Sequence, residues 1–235
     1  MTIPMPVPMP SHHRVIQPQA RPQPRPQAPL RASLCAGFCG LAVALLTGCG
    51  ASLLPKPPAA PVRYTLDGAA PRLIARAPAA DAPVLVVAMP RAAPGHDSVH
   101  MVYLQQPQAL ASFAFNEWVD TPARMLAPLL VRTLQDSGAF RAVLLAPSAA
   151  SGDLRLETEL IRLQQDFSAR PSQLRLTLRA VLLDSATRRV IAWREFDQIE
   201  PAATDDPAGG AAAAHVATQR LLAALAAFGA EQVRR

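Results

Sequence analysis

Leu154, Leu156 and Leu160 alternate with Arg155, Glu157 and Glu159, and Leu174, Leu176, Leu178, Ala180 and Leu182 alternate with Arg175, Thr177 and Arg179. A period of two sends successive side chains to opposite faces. Residues 153–160 and 174–182 are therefore expected to be strands with one covered and one wet face, as antiparallel sheets have. Glu dominates one wet face and Arg the other, which suits cross-strand pairing. A further strand is expected over Val190–Ile199, after the turn Asp184-Ser185-Ala186-Thr187. Upstream, Val62–Leu66 reads as a short strand and the Ala/Pro-rich residues 69–82 as a loop. The unbroken apolar run Val84–Met89, bounded by Pro83 and Pro90, suits a strand covered on both faces. Val99–Leu104, Phe113–Trp118 and Phe140–Leu145 complete the strand candidates.

Two segments carry a helical period. After the start signal Asp120-Thr121-Pro122, Leu126, Leu129, Leu130 and Leu134 share a face, and Ser137-Gly138 ends the run. Pro128 must either kink this helix or mark a later start near Ala127. Asp205-Asp206-Pro207 precedes an Ala-rich helix with Leu221, Leu222, Leu225 and Phe228 facing inward, and Gly209-Gly210 is expected to delay its start. Strands, helix, strands, helix make an α+β domain: one mainly antiparallel sheet of about six to seven strands with two packing helices.

Before this domain the pattern is different. Residues 1–31 are rich in Pro, Gln and Arg, which cannot bury apolar surface. Leu34–Leu46 is then wholly apolar or small. Thirteen residues are too few to span a bilayer but match the apolar region of a signal peptide. Leu46-Thr47-Gly48-Cys49 resembles the cleavage motif of bacterial lipoproteins, in which small residues let the backbone enter the peptidase cleft and the Cys thiol carries diacylglycerol. That resemblance implies that Cys49 becomes the acylated first residue of the mature chain, and Gly50 after it implies sorting to the outer membrane. Three parts follow: a signal peptide with its leader over 1–48, a Pro/Ala tether over 49–61 and a folded domain over 62–235.

Charge then loses its first meaning. The net charge of +6 suggests an anionic partner such as nucleic acid. Yet the leader holds Arg14, Arg21, Arg25 and Arg31 and no acid, so from Cys49 onward 19 basic residues face 17 acidic ones. No nucleic acid is expected as a partner. Of three cysteines, Cys35 and Cys39 would leave with the signal, so the mature chain has no internal disulfide or cysteine metal cluster.

Reactive constellations are sparse. Lys56 is the single lysine and sits in the tether, which excludes a Walker-type nucleotide site. There is no Gly-x-Ser-x-Gly elbow and no His-Glu-x-x-His. His96 and His100 could share a helix face and hold a metal, but Pro94, Gly95 and Asp97 argue for a solvent-exposed loop. His215 reads as surface. Glu157 and Glu159 read as a solvated strand face in preference to an acid/base pair. Tyr103 and Trp118, rare aromatics near a strand-to-helix junction, are either core or contacts to a partner. No cofactor, metal or catalysis is expected.

Several features together resemble the ABC-type transport auxiliary lipoprotein family. They are Tyr64-Thr65-Leu66-Asp67 after the lipoprotein Cys, the 84–89 strand, Tyr103, and Trp118 before a helix that leads to Ser137-Gly138-Ala139-Phe140. The Leu/Glu alternation at 154–160 and Leu174-Arg175-Leu176-Thr177-Leu178 leading to Phe196 complete them. The resemblance implies a non-enzymatic accessory of a lipid transport system, anchored at the periplasmic face of the outer membrane. Its partners would be an ABC permease and ATPase and a periplasmic protein with MCE (lipid-tunnel) domains. Pairing of free sheet edges would allow a homo-oligomer. A structural envelope lipoprotein assisting cell-wall or outer-membrane assembly is the alternative. A lipoprotein hydrolase would require a nucleophile paired with one of the three histidines of the mature chain.

Overall fold

The computed structural model describes residues 59–74 and 77–234. The signal and lipidation residues Leu46, Thr47, Gly48 and Cys49 and most of the tether lie outside the described residues. Pro58–Arg235 forms a compact unit by itself, and the whole described hydrophobic core comes from it. It therefore has what it needs to fold alone.

The strands are β1 (Val62–Tyr64), β2 (Val84–Val87), β3 (Arg91–Ala92), β4 (His100–Gln106), β5 (Ala109–Trp118), β6 (Ala142–Leu145), β7 (Leu154–Asp166), β8 (Gln173–Asp184) and β9 (Val190–Pro201). The helices are α1 (Pro122–Asp136), between β5 and β6, and α2 (Pro207–Val233), after β9. The two helices and the α+β class agree with the sequence pattern. The sheet differs in two ways. It has nine strands where six to seven are expected, and it is mixed where a mainly antiparallel one is expected.

The reason lies in β7. One edge of this 13-residue strand pairs antiparallel with β8 over its whole length. Its other edge takes β2, β3 and β4 in succession, all parallel. Together with the parallel pairs β1–β5 and β2–β6, five of the eight strand pairings are parallel. Pro90, which has no N–H to donate, separates β2 from β3, and the amides of Ala88 and Ala93 on either side donate to Leu156 and Leu160. The path between β2 and β6 contains α1, and a crossover through a helix produces a parallel pair.

Both helices lie on one face of the sheet. Leu156, Leu160, Leu176, Leu178 and Leu182 from the sheet meet Leu126, Leu130 and Leu134 of α1 and Leu221, Leu222 and Leu225 of α2, all 2% exposed or less. Among the described residues no helix covers the opposite face. Accordingly β2 is not covered on both sides as its apolar run suggests: Leu85 and Val87 are buried, while Val84 and Val86 are half-buried.

α1 starts where the Asp120-Thr121-Pro122 signal places it, and α2 starts earlier than its glycines suggest. Pro128 does not delay α1, which begins at Pro122 and carries Pro128 on its exposed side. Gly209 and Gly210 do not delay α2 either. Asp206 caps the helix by accepting the Gly209 amide at 2.7 Å. The glycines are required because Thr204 and Gln165 already fill the places their β-carbons would take.

Candidate docking surface

The bare face of the sheet is a lattice of paired charges. Arg179 meets Glu159 at 3.3 Å and Glu195 at 3.2 Å, bridging β7, β8 and β9. Arg175 meets Asp197 at 3.0 Å, and Asp197 also accepts from the Thr177 hydroxyl at 2.6 Å. These bonds, that from Arg175 foremost, hold the Asp197 carboxyl below the ordinary carboxylate range. Glu157, beside them, pairs with Arg155 at 3.1 Å. The Glu/Arg complementarity read from the sequence is thus realised between β7 and β8, and both glutamates are engaged in structural pairs.

The histidines lie apart. His96 is in a loop, as expected, but is half-buried where solvent exposure is expected, and its Nδ1 accepts the Leu163 amide at 3.5 Å. Burial, then the nearby Arg162 charge, lowers its pKa. His100 is exposed at the start of β4. His215 lies on α2 beside Gln219, 3.4 Å away. Among the described residues no three His, Cys, Asp or Glu side chains are grouped to hold a metal.

The two aromatics singled out by sequence part company. Trp118, at the end of β5, is 3% exposed and belongs to the core. Tyr103, on β4, is half-buried and stacks at 4.5 Å on Phe113 of β5, with Phe167 closing the cluster edge-on at 5.8 Å. This cluster stiffens the β4–β5 hairpin, whose turn places Gln108 at φ 66°. Along the same hairpin Leu110 and Phe115 are exposed, Phe115 to 55%. Val62 of β1, whose ladder partner is Asn116, and Val119, which follows β5, are exposed as well. Phe115 was not legible as a contact, because a phenylalanine two positions from Phe113 in a strand that ends in Trp118 looks like a core position.

A rigid hairpin with large apolar side chains in water is suited to association. The model of the ABC-type transport auxiliary lipoprotein component family matches residues 64–226. The chain belongs to that family. A crystal structure of a Xanthomonas campestris protein assigned to the family model DUF330 is similar, with a TM-score of 0.62 and 26% identity, covering 74% of this chain and 97% of that one. The crystal structure of an uncharacterized protein aligns with a TM-score of 0.56 at 13% identity, over 72% of this chain and 99% of the other, and shows the fold alone. The comparison with curated proteins gives no match.

Proposed function

We propose that the chain is a lipid-anchored, non-catalytic subunit of an ABC-type lipid transport system, which docks the periplasmic MCE-domain component of that system at the outer membrane. In this reading Cys49 carries the acyl chains, each buried CH₂ contributing roughly 0.8 kcal/mol of membrane affinity. Residues 49–61 are the leash, and tethering raises the local concentration of the domain near the permease, ATPase and MCE partners.

The observation that carries the docking role is the apolar edge of the β4–β5 hairpin. Phe115, two positions from Phe113 of the Tyr103–Phe113–Phe167 cluster, is 55% exposed, and Leu110 is exposed on the same hairpin. Interface hot spots are enriched in aromatic anchors held by rigid neighbours. The test is co-purification of the anchored protein with the MCE protein and permease encoded beside it. Phe115→Glu is expected to lower recovery of these partners at least tenfold while leaving the unfolding temperature unchanged. Equal recovery from Phe115→Glu and the parent would refute docking through this edge. Anchoring is checked separately by metabolic labelling with a palmitate analogue, which Cys49→Ala is expected to abolish.

A further inference from the structure

The tip of the β8–β9 hairpin differs from the rest of the bare sheet face. Elsewhere on these strands the arginines are neutralised: Arg175 by Asp197, Arg179 by Glu159 and Glu195, Arg194 by Glu231. At the tip, Arg188 and Arg189 have no carboxylate within ion-pair distance among the described residues. Asp184, the nearest acid in the turn, is occupied by the Thr187 amide and hydroxyl, each at 2.7 Å. The tip therefore carries one net positive charge. The turn is well defined, with Arg188 at φ 58° and its amide donating to Asp184 O at 2.9 Å.

Immediately after the two arginines come exposed apolar side chains. Val190 is 57% exposed, Ile191 45% and Trp193 65%. A bulge between Leu182 and Leu183 leaves Ile191 without a partner in the ladder, while Val190 and Trp193 stand opposite half-buried Leu183 and Val181. Two cations, two aliphatic side chains and an indole are thus exposed within six residues of one hairpin.

We propose that this tip is a second, reversible contact with an anionic lipid surface: Arg188 and Arg189 at the headgroups, Val190, Ile191 and Trp193 at the acyl boundary. Trp and Arg are suited to that depth because each joins an apolar body to a polar or charged end. A lipid surface fits better than a folded partner. Unpaired positive charge beside exposed aliphatic and indole side chains matches an anionic headgroup layer over an acyl boundary. The proposal uses the tethered reading only for local concentration, so its test leaves the anchor out.

The probe is the unit 58–235 mixed with vesicles of phosphatidylethanolamine and phosphatidylglycerol, or of phosphatidylcholine alone. Trp118 is buried and Trp193 exposed, so a shift in tryptophan emission reports the tip. The expected result is a blue shift with phosphatidylglycerol vesicles, weakened by salt, small with phosphatidylcholine and absent in Trp193→Phe. Each of Arg188→Gln and Arg189→Gln is expected to weaken partitioning about fivefold, and Ile191→Ser to weaken it on either vesicle. No shift with either vesicle, or the same shift in the Arg188→Gln, Arg189→Gln double variant, would overturn the proposal. So would a shift that depends on protein concentration without vesicles, which would assign the patch to a second copy. Equal palmitate labelling of Cys49→Ala and the parent would sink the anchor and leave this measurement unaffected.

Discussion

Gly209 and Gly210 show how a residue that looks like a defect is set by its neighbours. In sequence, a Gly pair at a helix start reads as an entropic cost that postpones the helix. In the fold, the Thr204 carbonyl occupies the place of a Gly209 β-carbon, and the buried Gln165 side chain that of Gly210. Because Thr204 blocks with its backbone, Gly209→Ala is expected to cost about 1–3 kcal/mol, the usual range for overpacking. Gly210→Ala should cost less, since a side chain can turn away. Urea unfolding of the two variants measures the difference. Trp118 and Trp193 teach the same lesson. Both sit in alternating strands, yet one is 3% and the other 65% exposed. Alternation reports that a strand has two faces, and only tertiary structure decides which face the helices cover.

At the scale of elements, the long strands were legible because Leu recurs at alternate positions, at 154, 156 and 160 and at 174, 176, 178 and 182. Their partners were not. Alternation is the same whether a neighbour runs parallel or antiparallel, so the pattern at 153–160 gave no sign that β2, β3 and β4 would line up along β7. The two-residue β3 is too short to leave any period. Pro128 in α1 withholds a donor from the preceding turn, yet the helix persists because Leu126, Leu129, Leu130 and Leu134 are buried around it. Pro128→Ala restores that donor at the expense of a more flexible unfolded chain. The expected net gain is about 2 kcal/mol, read as a rise in unfolding temperature of roughly 4–8 °C.

Acid sensitivity is also a property of the elements. Asp206 caps α2 through Gly209, Asp205 accepts the Ser172 amide at 2.7 Å, and Asp197 joins β9 to β8. Backbone amides for the first two and the Arg175 side chain for the third are the main causes that lower these carboxyls. A carboxyl whose folded pKa is depressed stabilises fully above its unfolded value, near 3.9, and that contribution disappears as pH falls through the folded value. The unfolding temperature of 58–235 is therefore expected to hold from pH 7 to about pH 5 and to fall steeply below pH 4. Asp197→Asn should lower the plateau and make the fall shallower. An unfolding temperature flat down to pH 2.5 would contradict this assignment.

For the whole molecule, the family was legible because loose patterns agreed over a long stretch: the strand at 84–89, the helix ending at Ser137-Gly138, and the 154–160 and 174–182 alternations. The surfaces proposed for docking and for lipid were not. Tyr103 was picked out, but as one half of a pair with Trp118, and the core takes Trp118. Phe115 and the Arg188–Trp193 tip emerge only when the sheet is seen with one face covered by helices and the hairpins β4–β5 and β8–β9 left in solvent. The two surfaces lie on different hairpins, so Phe115→Glu and Arg188→Gln should act independently, one on partner recovery and the other on vesicle binding.

The most direct measurement is photo-crosslinking in cells from a photoreactive amino acid placed at position 115, with position 132 on the exposed side of α1 as control. Docking through the β4–β5 hairpin predicts an adduct with the MCE-domain component from position 115 and none from 132. No adduct from 115, or equal yields from the two positions, would contradict the claim that this lipoprotein holds its transport partner by that hairpin.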